Sequence, residues 1–199
     1  NDVDLNLNGS LSDVKTLTIA KDGTLNVDSG SIVGFTTEGD ELTVDGKLTG
    51  EGTINMLAGD DTLSLVDSSD VSGFTGTLTG GDGTGDILEV NTSTGKTLGG
   101  NVFSDFEKLE KNQAGALTLT GAHAFTDSTT VAGGILAVAA VGTLTTGKVD
   151  LADGTALDIA GKVENVSGST VVVTGSSGEN TITVQADGEL NGSGNLGDG

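Results

Sequence analysis

KNQAGALTLTGAHAFTDSTTVAGGILAV, residues 111–138, decides how the rest of the chain is read. Leu117 to Thr120 alternates apolar and polar side chains. Gly121 breaks that run, a small polar loop follows, and Ile135 to Val138 opens a second apolar run. Alternation at period two, over runs too short for a helical repeat, is the pattern of strand, turn and strand.

The same pattern recurs outward in both directions. Leu17-Thr18-Ile19, Leu42-Thr43-Val44, Leu63-Ser64-Leu65, Leu88-Glu89-Val90, Leu157-Asp158-Ile159 and Ile182-Thr183-Val184 each alternate. Leu17, Leu42, Leu63, Leu88, Leu109, Leu136, Leu157 and Ile182 serve as anchors, and shorter and longer steps alternate between them. The mean step is (182 − 17)/7, about 23.6, inside the range that marks a solenoid. Gly46 to Ile54 resembles Gly188 to Leu196, and the offset between the two copies, 188 − 46, is about six such steps. A turn of this length accommodates three short strands and three corners. The expected fold is all-β: a right-handed parallel β-helix of roughly eight rungs, with residues 1–199 forming a single segment. Leucines then point inward and threonines outward, and each strand pairs with its equivalent one rung away. Lys-Asp-Gly at 21–23, Asp-Ser-Gly at 28–30, Glu-Gly-Asp at 38–40 and Ala-Asp-Gly at 152–154 and 186–188 supply the corners. Residues 101–113, with Phe103, Phe106 and a cluster of Lys and Glu, are expected to form a rung variant or a short protruding segment.

Composition supports this reading. Aromatics make up 3% of the chain, yet it has 34 glycines and no proline. A core of small aliphatic side chains, repeated many times, fits better than one large core, and regular Val, Ile and Leu argue against disorder. Strand interiors are nowhere deprived of an N–H by proline. Cysteine is absent, which excludes disulfides and thiolate chemistry. Acidic residues number 29 and basic residues 8, all lysine, for a net charge of −21. Nucleic acid, which needs clustered cations, is not an expected partner. Insertion into a membrane is not expected either: no apolar run approaches a spanning helix, and anionic lipid would repel the chain.

Residues 111–138 resemble the passenger-associated transport repeat of bacterial autotransporters. That family shows a glycine-bounded L-T-L-T run, then G-A-N, an aromatic residue, G-G-T-T-V and G-x-L-x-V. The match holds at Gly115, Leu117 to Ala122, Thr129 to Val131, Gly134, Leu136 and Val138. It departs at His123, where the family has Asn, and at Asp127 and Ser128, where it has glycines. The resemblance implies a passenger domain of type V secretion, adhesin-like. Its setting would be the bacterial cell surface or the extracellular space after export through the outer membrane. The chain would then be a fragment of a longer passenger, since no signal peptide is visible, and a C-terminal translocator barrel would belong to the same polypeptide. The absence of cysteine suits a chain that crosses the outer membrane unfolded.

Few residues invite chemistry. His123 is the sole histidine, so any Ser-His-Asp relay must use it. Asp28 to Ser31 resembles the nucleophile segment of chymotrypsin-like proteases, but Val27 stands where that segment has glycine and the histidine follows the serine instead of preceding it. His123 is expected at the surface of the repeat loop. Polysaccharide lyases of the β-helix class use arginine or lysine as base. Arginine is absent here. Carboxylate pairs such as Asp60 and Asp61 are the only other material for glycoside chemistry. The segments 58–63 and 80–88 resemble the calcium-binding nonapeptide, making Asp60, Asp61, Asp82 and Asp86 candidate calcium ligands, although neither segment recurs in tandem. The N-x-[ST] sequons at Asn8, Asn91, Asn165 and Asn191 are what chance provides in a chain of this composition. The resulting expectation is a structural stalk, not an enzyme, without cofactor. It would support adhesion, autoaggregation or biofilm formation and aid export, and its partners would be further copies, a host glycan or a matrix protein. The rival readings are a carbohydrate-active or other enzyme on the same scaffold, and a calcium-binding secreted protein.

Overall fold

The computed structural model describes residues 4–100 and 102–195. Among these there is no helix, and the strands pair in parallel. The chain winds as a parallel β-solenoid with three strands to a turn. The described residues form two compact units, the first of residues 4–89 with 102–106, the second of residues 90–100 with 107–195.

In the first unit, β1 (Asp4–Leu7), β4 (Thr24–Val27), β7 (Lys47–Gly50) and β10 (Asp70–Phe74) form one sheet in that order. A second sheet takes β2 (Ser10–Val14), β5 (Ile32–Phe35), β8 (Thr53–Asn55), β11 (Thr77–Thr79) and β14 (Phe103–Ser104). The third face starts with β3 (Thr16–Ile19), β6 (Glu41–Val44) and β9 (Thr62–Val66), and β12 (Ile87–Asn91) carries the boundary between units. In the second unit, β13 (Lys96–Gly99), β16 (Ala116–Thr120), β19 (Ile135–Val138), β22 (Ala156–Ile159) and β25 (Thr181–Val184) form one sheet. A second holds β17 (Ala122–Phe125), β20 (Thr143–Thr146), β23 (Lys162–Glu164) and β26 (Glu189–Leu190). The third face is β15 (Lys108–Asn112), β18 (Ser128–Val131), β21 (Lys148–Leu151), β24 (Val171–Gly175) and β27 (Gly192–Asn195). The third strands, β3 to β27 in steps of three, number nine among the described residues, one per turn. Of the expected variant at 101–113, residue 101 lies outside the described residues; in 102–113, β14 and β15 belong to the winding, and Phe106 is buried.

Alternation does what period two requires. Leu42 and Val44 of β6 are buried while Glu41 is exposed. Leu17 pairs with Leu42 and Leu42 with Leu63. Leu117 pairs with Leu136, Leu136 with Leu157, and Leu157 with Ile182. Leu42, Leu63, Leu88, Leu136 and Leu157 are fully buried, and each such side chain contributes roughly 1.5–3 kcal/mol. Leu17 and Ile182 are only half-buried.

The anchors do not all follow one face, however. Leu109 pairs with Thr129, and Leu136 stands on the sheet of β16 and β22. The long step from Leu109 to Leu136 therefore changes faces and is not a turn length. Thr129 takes an inward position although it is polar, because its hydroxyl is satisfied inside: it donates to the Thr146 hydroxyl at 3.1 Å, which donates to the Lys148 carbonyl. The two similar segments likewise occupy different sides. Gly46 precedes β7, the first strand of a turn, and Gly188 precedes β26, a second strand. They share a corner: at either glycine a Cβ would sit in the backbone carbonyl oxygen of a neighbouring turn, that of Gly23 for Gly46 and of Ile159 for Gly188.

Candidate functional site: an acidic corner and a lysine clip

Three corner loops of the first unit join the second strand of a turn to its third: 36–40, 56–61 and 80–86. Each ends in an aspartate two positions before an anchor leucine, namely Asp40, Asp61 and Asp86. All three are buried. The Asp61 amide donates to Asp86 Oδ1 at 2.7 Å, and the Asp40 amide donates to Asp61 Oδ1 at 2.7 Å. Asp40 in turn accepts from the amide and hydroxyl of Thr36, at 2.8 Å each. The result is an aspartate ladder: Asp86 and Asp61 each close the corner of the turn before, and Asp40 closes its own. Burial raises the Asp61 carboxyl to about 6, against the lowering effect of its hydrogen bond from Asp40, with the charges of Asp86, Asp40 and Asp60 adding to the rise. Asp61 Oδ2 is buried and accepts no hydrogen bond. Burial also pushes Asp86 upward.

The four calcium candidates are thus divided by the fold. Asp61 and Asp86 belong to the buried ladder, while Asp60 and Asp82 are exposed. Among the described residues, no group of three or more His, Asp or Glu is arranged to hold a metal ion.

Beside the ladder lies an open cleft of about 440 Å³. Asn55, Leu57, Ala58, Thr79, Asp82 and Asp105 line it, with Thr37 and Gly81. Two of these residues have left-handed backbones, Leu57 at φ 69° and Asp105 at φ 55°. A leucine there is unusual and costs about 1–3 kcal/mol. Local contacts impose it: the Leu57 amide donates to Asn55 Oδ1 at 2.9 Å, and the Leu57 carbonyl accepts from the Asp82 amide. Gly81, at φ 109°, lies so close to that carbonyl that no Cβ fits. Thr79 donates to Asp105 Oδ2 at 2.7 Å.

In the second unit the transport-repeat-like residues fill β15 to β19. Lys111 is fully buried in β15, not part of a surface cluster. Its Nζ donates to the carbonyls of Asn112 at 2.6 Å, Gln113 at 2.8 Å and Gly133 at 2.9 Å. The ammonium thereby clips two successive turns at a corner where Gln113 is left-handed, at φ 61°. Burial lowers its pKa. His123 is not at the surface of a loop. It is a buried residue of β17, with Nε2 3.1 Å from the Thr120 carbonyl and its ring stacked on Phe125 at 6.5 Å. Burial lowers its pKa too, favouring the neutral ring. The alternation A-H-A-F was enough to place it inward, since His123 and Phe125 share the parity of the buried residues.

Sequence reasoning missed Lys111, Leu57 and Asp105. The ladder did leave a signal, an aspartate at −2 from Leu42, Leu63 and Leu88. Nothing in the sequence foretells a lysine whose partners are all backbone.

A parallel solenoid whose turns incorporate a glycine-bounded L-T-L-T repeat defines a class. Residues 109–138 match the family model of the passenger-associated-transport-repeat. The repeat and the solenoid together fit the passenger domain of an autotransporter. No curated protein and no solved structure matches the chain.

Proposed function

We propose that this chain is a stalk segment of an autotransporter passenger, exported through the outer membrane and displayed on the bacterial surface or released from it. The single observation that carries the reading is the placement of the matched repeat. Residues 109–138 form no separate module: β16 pairs with β13 and β19, and β18 with β15 and β21. A repeat built into the winding serves export by folding, as a stable segment outside the cell against which further turns form. In this reading the segment supports adhesion, autoaggregation or biofilm formation, and with them virulence. Outward ladders of Thr, Asn and Asp face further copies, a host glycan or a matrix protein. The chain is not an enzyme. The lone histidine is buried, and neither arginine nor cysteine is present to serve as base or nucleophile.

The test joins the chain to a translocator barrel in a Gram-negative host and scores surface exposure by protease accessibility. The Leu117→Asp, Leu119→Asp double variant should reach the surface several-fold less than the wild type. Equal export of both would overturn the export role. Turnover of casein or a polysaccharide panel that disappears with His123→Ala or Asp60→Asn would overturn the non-enzymatic reading.

A further inference from the structure

We propose that the cleft of the first unit is a docking pocket for a lysine or arginine side chain of a basic protein partner. The lining has two halves. Leu57 and Ala58 make an apolar floor, with Leu57 37% exposed despite its size. Asp82 and Asp105 supply carboxylates, with Asn55 and Thr79 beside them, and no cationic residue lines the cleft. An apolar floor below a carboxylate rim is the complement of an apolar stem that ends in a cation. Its volume of about 440 Å³ lies within the range of ligand pockets, about 300–1,000 Å³.

Backbone strain is spent on this arrangement. The left-handed Leu57 directs an apolar side chain to the surface, and the left-handed Asp105 holds its carboxylate against the Thr79 hydroxyl. Neither conformation is required by the ladder, whose bonds run through Asp40, Asp61 and Asp86.

Charge selects the ligand. Anions are repelled by the lining and by a net charge of −21, which steers basic partners toward the chain instead. For a neutral sugar the cleft offers no aromatic ring to stack on. A second copy is a poor donor: it carries the same net charge of −21, has no arginine, and of its eight lysines Lys15, Lys148 and Lys162 are ion-paired and Lys111 is buried. The partner is a different protein. This proposal stands apart from the export role, because it is read on the purified chain.

The experiment titrates isotopically labelled chain, at physiological salt, with an acetylated and amidated Gly-Lys-Gly peptide. The matched Gly-norleucine-Gly peptide, the Arg peptide and glucose are run alongside. The Lys and Arg peptides should shift the amides of Leu57, Gly81, Asp82 and Asp105 selectively. The Asp82→Asn, Asp105→Asn double variant should weaken binding at least tenfold without change in melting temperature, and norleucine should shift nothing. Shifts spread evenly over the acidic surface and retained in the variant would overturn the proposal. So would silence at millimolar peptide, or a cleft response to glucose alone.

Discussion

Replacing Asp61 with asparagine should remove a pH dependence that runs opposite to ordinary acid denaturation. Asp61 is fully buried, and its carboxyl rises from 3.8 to about 6 chiefly because burial disfavours its charge. Below pH 3.8 both folded and unfolded chains hold this proton. Between 3.8 and about 6 only the folded chain holds it. Above that both are ionised, and the folded chain carries a desolvated carboxylate. Stability from this group is therefore full at low pH and lost as pH rises through about 6, because the folded state binds more protons. A rise of roughly two pH units corresponds to at most about 3 kcal/mol, at about 1.36 kcal/mol per unit. Asparagine keeps the Oδ1 acceptor for the Asp40 amide, so the rung should survive. Urea denaturation followed by circular dichroism across the acid-to-neutral range gives the stability difference between wild type and Asp61→Asn. That difference should swing in favour of the variant by about 1–3 kcal/mol as pH rises. Asp86, raised for the same reason, leaves a residual slope of the same sign in both proteins. A pH-independent difference, or one that favours the wild type at high pH, would refute the reasoning.

Three further outcomes can be checked on the purified chain. Lys111→Met should cost about 1–3 kcal/mol in urea denaturation, since three part-buried backbone carbonyls lose their charged donor when the ammonium is gone; near-neutrality would show that the clip is dispensable. Leu136→Ala, between Leu117 and Leu157, should cost about 2–5 kcal/mol, and Leu17→Ala clearly less, because Leu17 is only half-buried; equal losses would contradict the pairing. Amide hydrogen exchange should be slower in residues 114–184 than in 67–100, because fully buried aliphatic residues follow one another more closely there; equal protection would refute this.

The fold was legible because its code is local. Leu42 to Val44, Leu117 to Leu119 and Leu157 to Ile159 each state their own inward face, and parallel stacking only repeats them. Register was harder. Turn lengths vary between pairs: the turn from Leu117 to Leu136 is shorter than the one from Leu157 to Ile182. A mean period therefore could not tell that Leu109 stacks on Thr129 and not on an aliphatic residue. The site was least legible. Leu57 reads as core by its type, yet a carbonyl beside Gly81 turns it outward. Lys111 reads as surface by its charge, yet three carbonyls hold it inside. Both outcomes draw in part on backbone atoms of a neighbouring turn, at Asp82 for Leu57 and Gly133 for Lys111, which no side-chain pattern records.

The aspartate ladder has a direction. Asp86 receives the amide of Asp61, and Asp61 that of Asp40, so the acceptor always belongs to the later turn and the donor to the earlier one. A turn already wound presents its N-terminal neighbour with an acceptor fixed in place by its own corner. In the opposite order the arriving carboxylate must find its rotamer and shed its water at once. Along this stretch, winding from the C-terminal side toward the N-terminal side meets a prepared template at the corners of Asp61 and Asp40, and that polarity is set by which turn owns the carboxylate.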